Sequence, residues 1–304
     1  MAKYRDNIAN RIIGTLAAAA IRLLGRLPRS SVRALGALFG DLGWWLNSRS
    51  RQVAETNIRL CFPELDANSQ RQLARQSLIE IGAGAGELAW LWHHPQAALA
   101  MIREIQGDAP LRATLASGRP VIVMAPHLGC WELVNLWLAD EFDMHAMFKP
   151  SQFAAVNQLI SDSRQHFHST LHPATARGVA SLARALKSGP VVSGILPDQV
   201  PPRSAGRHVP FFAQPALTGT LTSKLLRQTG ARAFAVAALR LPGQAGYRLV
   251  IREPAAAVYD SDLDTSLTAI NQAVEALVRE APTQYIWNYK RFRRQPADMA
   301  NPYH

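Results

Sequence analysis

Apolar residues recur at helical spacing in the first thirty positions. Ile12, Leu16, Ala20, Leu23 and Leu27 share one face, and Arg22, Arg26, Arg29 and Arg33 follow at a similar spacing on another. The uninterrupted apolar run, residues 12–21, is ten residues long, about half of the roughly 20 that cross a bilayer. The pattern predicts an interfacial helix, apolar face in lipid and arginines toward headgroups. A helix packed on its own domain would carry the same stripe, and a signal peptide shares the basic start and the alanine run. After Pro28, Ser30 or Ser31 can cap a second helix with Leu35, Leu38, Phe39, Leu42, Trp45 and Leu46 along its stripe. Trp44 and Trp45 suit a headgroup-level belt or a core equally. Residues 68–92 read as one or two further helices.

From Pro120 the pattern changes to strand, loop and helix. Residues 121–125 form a short, wholly apolar run, the mark of a strand buried on both faces, and residues 191–196 repeat it. Helices are expected at 131–138, 151–167, 179–187, 217–229 and 263–280, with strands at 233–239 and 247–252. Alternating strands and helices predict an α/β fold, a largely parallel central sheet flanked by helices. In front of it stands an all-helical N-terminal extension expected to face a membrane. The boundaries read as residues 1–30 for the membrane-associating helix and 31–304 for one α/β domain.

Charge narrows the partners. The chain carries 33 Lys and Arg against 22 Asp and Glu, a formal +11. Such an excess predicts a polyanionic partner, nucleic acid or an anionic membrane surface. No nucleic-acid motif is present, and the basic residues lie beside a lipid-type apolar stripe. Cys61 and Cys130 make no disulfide framework, which predicts a reducing compartment.

The candidate chemistry lies at the end of the first buried strand, in Ala125-Pro126-His127-Leu128-Gly129-Cys130-Trp131-Glu132. Ligand-handling groups gather where parallel strands end and helices begin. Gly129 permits a turn that lets His127 and Glu132 converge. An ionised Glu132 at a helix start is expected to hold Nδ1–H of His127, leaving Nε2 as general base. No Gly-x-Ser-x-Gly elbow occurs. The nucleophile is therefore expected on the substrate, as a hydroxyl, with no covalent acyl-enzyme.

These residues resemble the late, or secondary, acyltransferases of lipid A biosynthesis, the lauroyl/myristoyltransferase family within the glycerolipid acyltransferase group. Its His-x4-Asp/Glu motif matches His127 and Glu132. Gly194-Ile-Leu-Pro-Asp198-Gln199 and Val209-Pro-Phe-Phe212 look like its second and third blocks. Residues 282–293 resemble its aromatic-basic closing signature. The resemblance implies an acyl carrier protein as donor, a hydroxyl of a lipid A precursor as acceptor, and a place at the inner membrane, expected at its cytoplasmic face. With no P-loop and no dinucleotide fingerprint in the sequence, no cofactor is expected. Anchoring is expected to be peripheral, because the apolar stretch is shorter than the family's usual anchor. A glycerophospholipid acyltransferase would share the His/acid chemistry, but its Glu-Gly-Thr-Arg block is not found. A non-catalytic basic protein binding membrane or nucleic acid is the alternative of another class.

Further candidates stand around this motif. Arg164 lies on the apolar stripe Phe153, Val156, Ile160, Phe167, where a guanidinium needs a carboxylate or a substrate phosphate. The resemblance favours substrate. Asp198 ends the second buried strand, on the expected edge of His127, where it could pair with Arg164. Lys149, Arg203 and Arg207 read as loop cations, facing anionic headgroups or solvent. His166, His168 and His172 have no matching acid or cysteine pattern, so no metal is expected.

Overall fold

The computed structural model describes residues 8–148, 155, 157–158 and 169–303. Its N-terminal third is helical: α1 (Ile8–Gly25), α2 (Arg29–Trp45), α3 (Arg49–Cys61), α4 (Ala67–His93) and the short α5 (Pro95–Leu99). Then follow β1 (Ile102–Gln106), α6 (Ala109–Ala116), β2 (Val121–Met124), α7 (Trp131–Glu141), β3 (His145–Phe148), β4 (Thr170–Pro173), α8 (Ala176–Ser188) and β5 (Val192–Ile195). The chain continues through β6 (Gly206–Phe211), β7 (Gln214–Gly219), α9 (Leu221–Thr229), β8 (Arg232–Arg240), β9 (Tyr247–Arg252) and α10 (Leu263–Glu280). The expected helix at 151–167 lies largely outside the described residues.

The central sheet has the order β1-β9-β8-β2-β5. β2 runs parallel to both β5 and β8, β1 runs parallel to β9, and only the β8–β9 pair is antiparallel. β2 is buried along its whole length, as its unbroken apolar run predicts. Its side chains alternate between two cores. Ile122 and Met124 join Leu239, Leu267, Ile270 and Trp287 on one face, and Val121 and Val123 join Leu133, Trp137 and Phe234 on the other.

The hairpin β6–β7 corrects one expectation: residues 217–219 pair as strand with 206–208, and the helix begins only at Leu221. The hairpin turns at Phe212 and Ala213, with φ of 47° and 61°. Such turns normally recruit Asn or Gly, so the sequence carried no turn signal. Tertiary contacts hold the turn instead. The Phe212 N–H donates to Glu275 at 2.8 Å, and its ring lies 5.9 Å from that of Trp287.

The helical layer is fixed to the sheet at two places. Helices α2 and α4 cross at glycines: a Cβ on Gly36 would lie 2.1 Å from the Gly82 carbonyl oxygen, so only backbone contact fits there. Beside this crossing Glu87 of α4 is fully buried. Its carboxylate meets Arg29 at 2.8 Å, Arg33 at 3.0 Å, Arg240 at 2.6 Å and the Tyr247 hydroxyl at 2.7 Å. Arg29 and Arg33 are thus not headgroup residues, as their spacing with Arg22 and Arg26 suggested. A buried carboxylate recruits them, because an uncompensated charge in the core is too costly. Arg22 and Arg26 remain exposed. Among the described residues no helix is long and apolar enough to cross a membrane.

Burial works to neutralise Glu87, but Arg240, Arg33 and Arg29 outweigh it and lower its pKa from 4.5 to about 2. A carboxyl that titrates lower when folded contributes its full stability above the unfolded pKa. That contribution should be lost as pH falls from about 4.5 toward 2. Glu87→Gln strands three buried guanidinium groups and should cost about 3–5 kcal/mol. Chemical denaturation across this pH range checks both, and the variant should show a shallower slope than the wild type between pH 4.5 and 2.

Candidate active site

Register assembles the site. In the parallel pair β2–β5, Val121 faces Val192 and Met124 faces Ile195, and the Ala125 N–H continues the ladder to the Ile195 carbonyl at 2.9 Å. Each strand then runs into a proline, Pro126 and Pro197, which ends the ladder for want of an N–H. His127 and Asp198 each stand three residues past the last paired position, so equal offsets bring them side by side. The His127 N–H donates to Asp198 Oδ2 at 2.8 Å, and His127 Nδ1 lies 2.8 Å from Asp198 Oδ1. The carboxylate accepts both.

The loop after His127 is held from β8 and the closing segment. Gly129 has φ of +60°, and a Cβ there would lie 2.1 Å from the Ala238 carbonyl oxygen. Only glycine fits. Its N–H donates to the Gln284 carbonyl at 3.1 Å, and the Cys130 N–H to that of Ala238 at 2.8 Å. The Gln284 amide bonds both backbone groups of Arg240, fixing the closing segment to β8. The Trp131 ring packs 5.3 Å from the imidazole.

The carboxylate at His127 Nδ1 is that of Asp198, from the loop after β5. Glu132, expected at that position, is buried in the first turn of α7. The reason is topological: Glu132 follows the Gly129 turn on His127's own chain, whereas the parallel register delivers Asp198 directly opposite. Placing Asp198 at the edge of His127 holds. Its expected partner Arg164 lies outside the described residues, as does Lys149. Arg207 sits on β6 with its guanidinium forked onto Asp264, both contacts 2.9 Å, at the surface. Arg203 lies in an exposed turn of 3-10 helix. His166 and His168 fall outside the described residues, and His172 bonds His145 at 2.9 Å. Among the described residues no cluster of His, Cys, Asp or Glu could hold a metal ion.

Three site residues were not foreseen. Gln199 places its amide nitrogen 3.0 Å from His127 Nε2. An amide N–H donor there makes Nε2 an acceptor, which agrees with Nδ1–H donating to Asp198. Tyr285 and Arg291 are buried behind Asp198. Burial, and then the Asp198 charge, push the Tyr285 phenol well above its ordinary range. Burial pulls the Arg291 guanidinium down, against the opposing Tyr285 and Asp198. Arg291 donates to the Leu217 carbonyl at 2.8 Å and the Thr218 hydroxyl at 2.9 Å. No carboxylate among the described residues is at ion-pair distance, so its charge acts on Asp198 through the low-dielectric core. Burial also works to raise the Asp198 pKa, but the His127 charge and hydrogen bonds prevail and hold the carboxylate below its usual range.

Cys130 is the other reactive group in the motif. It is fully buried, and burial pushes its thiol up to about 12, so it is not a thiolate nucleophile at neutral pH. The arrangement offers a base with an aligned lone pair, an orienting carboxylate, and no activated nucleophile among the described residues.

Comparison with known proteins bears on which reaction uses such a base. The family model for the bacterial lipid A biosynthesis acyltransferases matches residues 4–294. The chain is 27% identical over 274 residues to a lipid A biosynthesis lauroyltransferase of Escherichia coli K12, covering 88% of this chain and 87% of that protein. It is 26% identical over 272 residues to the palmitoleoyltransferase of the same organism, with 88% and 87% covered. To the myristoyltransferase it is 23% identical over 293 residues, with 96% and 89% covered. A match across nearly the whole chain leads to one conclusion: the chain belongs to the bacterial lipid A biosynthesis acyltransferase family.

Proposed function

We propose that the protein transfers a fatty acyl chain from an acyl carrier protein thioester to a hydroxyl of a lipid A precursor, with His127 as general base and Asp198 as its orienting carboxylate. The observation that carries this reading is the His127 geometry, Nδ1 bonded to Asp198 and Nε2 turned to the Gln199 amide. An acceptor hydroxyl displaces Gln199 and donates to Nε2. As the imidazole takes the proton, the oxygen attacks the thioester carbonyl. The tetrahedral intermediate collapses, the carbon–sulfur bond breaks, and the imidazolium returns the proton to the departing thiolate. The products are an ester and a free carrier thiol. Asp198 stays ionised throughout and stabilises the imidazolium. Glu132, with Nδ1 taken, has no orienting part in this scheme. Arg164 and Lys149 keep their proposed part in holding the acceptor's anionic groups.

The membrane reading rests on exposed apolar residues of two helices. Ile12, Leu16 and Leu23 of α1 and Leu38, Phe39 and Trp45 of α2 all point to solvent. Apolar exposure of this kind marks an interaction surface. With Arg22 and Arg26 of α1 exposed as well, it fits the surface of an anionic bilayer, which supports peripheral attachment; the cytoplasmic face of the inner membrane is proposed from the family.

Asp198→Asn should lower kcat on the order of 10²–10⁴-fold with little change in Tm, since the amide keeps the shape but favours the wrong tautomer. His127→Ala should be inactive. Mass spectrometry of the acylated lipid, from purified enzyme with defined donor and acceptor, reads both. Transfer at the wild-type rate by His127→Ala would sink the mechanism.

Attachment should be partly salt-sensitive, since each basic residue near an anionic surface contributes about 1 kcal/mol. Removal of residues 1–29 is a poor test, because Arg29 belongs to the buried Glu87 cluster. A triple variant, Leu38→Ser, Phe39→Ser and Trp45→Ser, spares the core and should move most of the protein to the soluble fraction. If that variant stays on membranes through high salt and alkaline carbonate, α2 is not the attaching face.

A further inference from the structure

Arg49 and Arg59 of α3, Arg71 of α4 and Lys290 of the closing segment line two adjoining hollows of about 530 and 590 Å³. Arg59 borders both. Arg51 lines the first and is paired at 3.0 Å with Glu55, the one acid on either wall. The other four cations have no carboxylate at ion-pair distance among the described residues, and Lys290 lies 5.2 Å from the Tyr303 ring. Five cations against one carboxylate make these hollows a basic groove, in the size range of small-molecule pockets.

Two placements narrow the anion. First, the groove adjoins the exposed apolar face. Trp45 and Leu46, 68% and 71% exposed, close α2, and Arg49 follows three residues on. The Arg51 guanidinium lies 4.1 Å from the Trp44 ring and donates to the Trp44 carbonyl. An amphiphile with its tails against α2 would therefore present its head to these cations. Second, the groove shares its scaffold with the catalytic pair. Asn57 of α3 donates to the Trp287 and Tyr289 carbonyls at 2.6 and 2.8 Å, and the Tyr289 hydroxyl accepts from the Val200 N–H, two residues past Asp198. Guanidinium forks match phosphate oxygens in pairs.

We propose that this groove binds the phosphate-bearing head of the acceptor lipid and so determines which acceptor is acylated. It rests on reading the acceptor as a lipid held at a membrane surface. Phosphate seated on α3 positions the acceptor, and Asn57 and Tyr289 set that seat relative to Asp198 and His127. Discrimination then follows from the loss of charge-assisted bonds when the phosphate is absent.

The test is the double variant Arg59→Gln, Arg71→Gln, two exposed residues without ion pairs, whose fold a melting curve confirms. The substrates are a phosphorylated, acylated disaccharide and the same lipid stripped of phosphate. Wild type should prefer the phosphorylated lipid in kcat/KM, and the variant should lose that preference about tenfold. KM for the acyl carrier protein should hold. An equal fall with both acceptors, or no fall, overturns the proposal. So does a rise in donor KM alone, which would make the groove a protein dock. Weaker binding to phosphatidylglycerol vesicles with the preference intact overturns it also, as a mere membrane contact. Direct binding of the phosphorylated lipid, compared between His127→Ala and His127→Ala with both glutamines, needs no turnover. If wild type acylates neither lipid, the functional reading fails, and this binding comparison still decides the groove.

Discussion

The pairing of β2 with β5, parallel and in register, is the constraint on which the site depends. Four consecutive pairs, from Val121 with Val192 to Met124 with Ile195, leave no freedom in where the two strands end. A slip by one residue would turn Val121 and Val123 into the opposite core and part His127 from Asp198. The prolines that follow each strand stop the ladder at the same level. The His127–Asp198 distance of 2.8 Å thus follows from strand pairing three residues away, and the loop itself is fixed only afterwards by Gly129 against Ala238 and Gln284.

Around that pair the charges fall into two buried groups with different tasks. Glu87 gathers Arg29 and Arg33 from α2 and Arg240 from β8, and so joins the helical layer to the end of β8. Its contribution is to the orientation of α2, the helix that carries both the apolar face and the lead into the basic groove. Arg291 and Tyr285 stand behind Asp198 and act on its charge without taking its hydrogen bond to the imidazole. Arg240 links the two groups, since Gln284 bonds its backbone and holds the loop of His127. Helix α2 and the His127 loop are therefore carried on one continuous polar framework.

Much of this was legible in the sequence. Unbroken apolar runs gave β2 and β5, and glycine and proline marked the ends of several helices. His127 was singled out by its place at a strand end. Spacing along the chain pointed to Glu132 as its neighbour at Nδ1, whereas strand pairing brings Asp198 there. A usable signal existed: His127 and Asp198 each follow a proline directly after a buried run, in Ala-Pro-His and Leu-Pro-Asp. The hairpin at Phe212 and Ala213 offered no such signal, because tertiary packing pays for its positive φ angles. Nor could helical spacing separate Arg29 and Arg33 from Arg22 and Arg26, since burial against Glu87, 54 residues or more away, decides it.

The account turns on the tautomer of His127, with its proton on Nδ1 toward Asp198 and its lone pair on Nε2. Nitrogen-15 spectra of histidine-labelled protein at pH 8, with His127 assigned by comparison with His127→Ala, measure this directly. The expected result is a protonated Nδ1 and an unprotonated Nε2 in the wild type, with the balance moving toward Nε2–H in Asp198→Asn and unmoved in Glu132→Gln. A wild-type imidazole carrying its proton on Nε2, or one that responds to Glu132→Gln and not to Asp198→Asn, would contradict the assignment of Asp198 as the residue that sets the base.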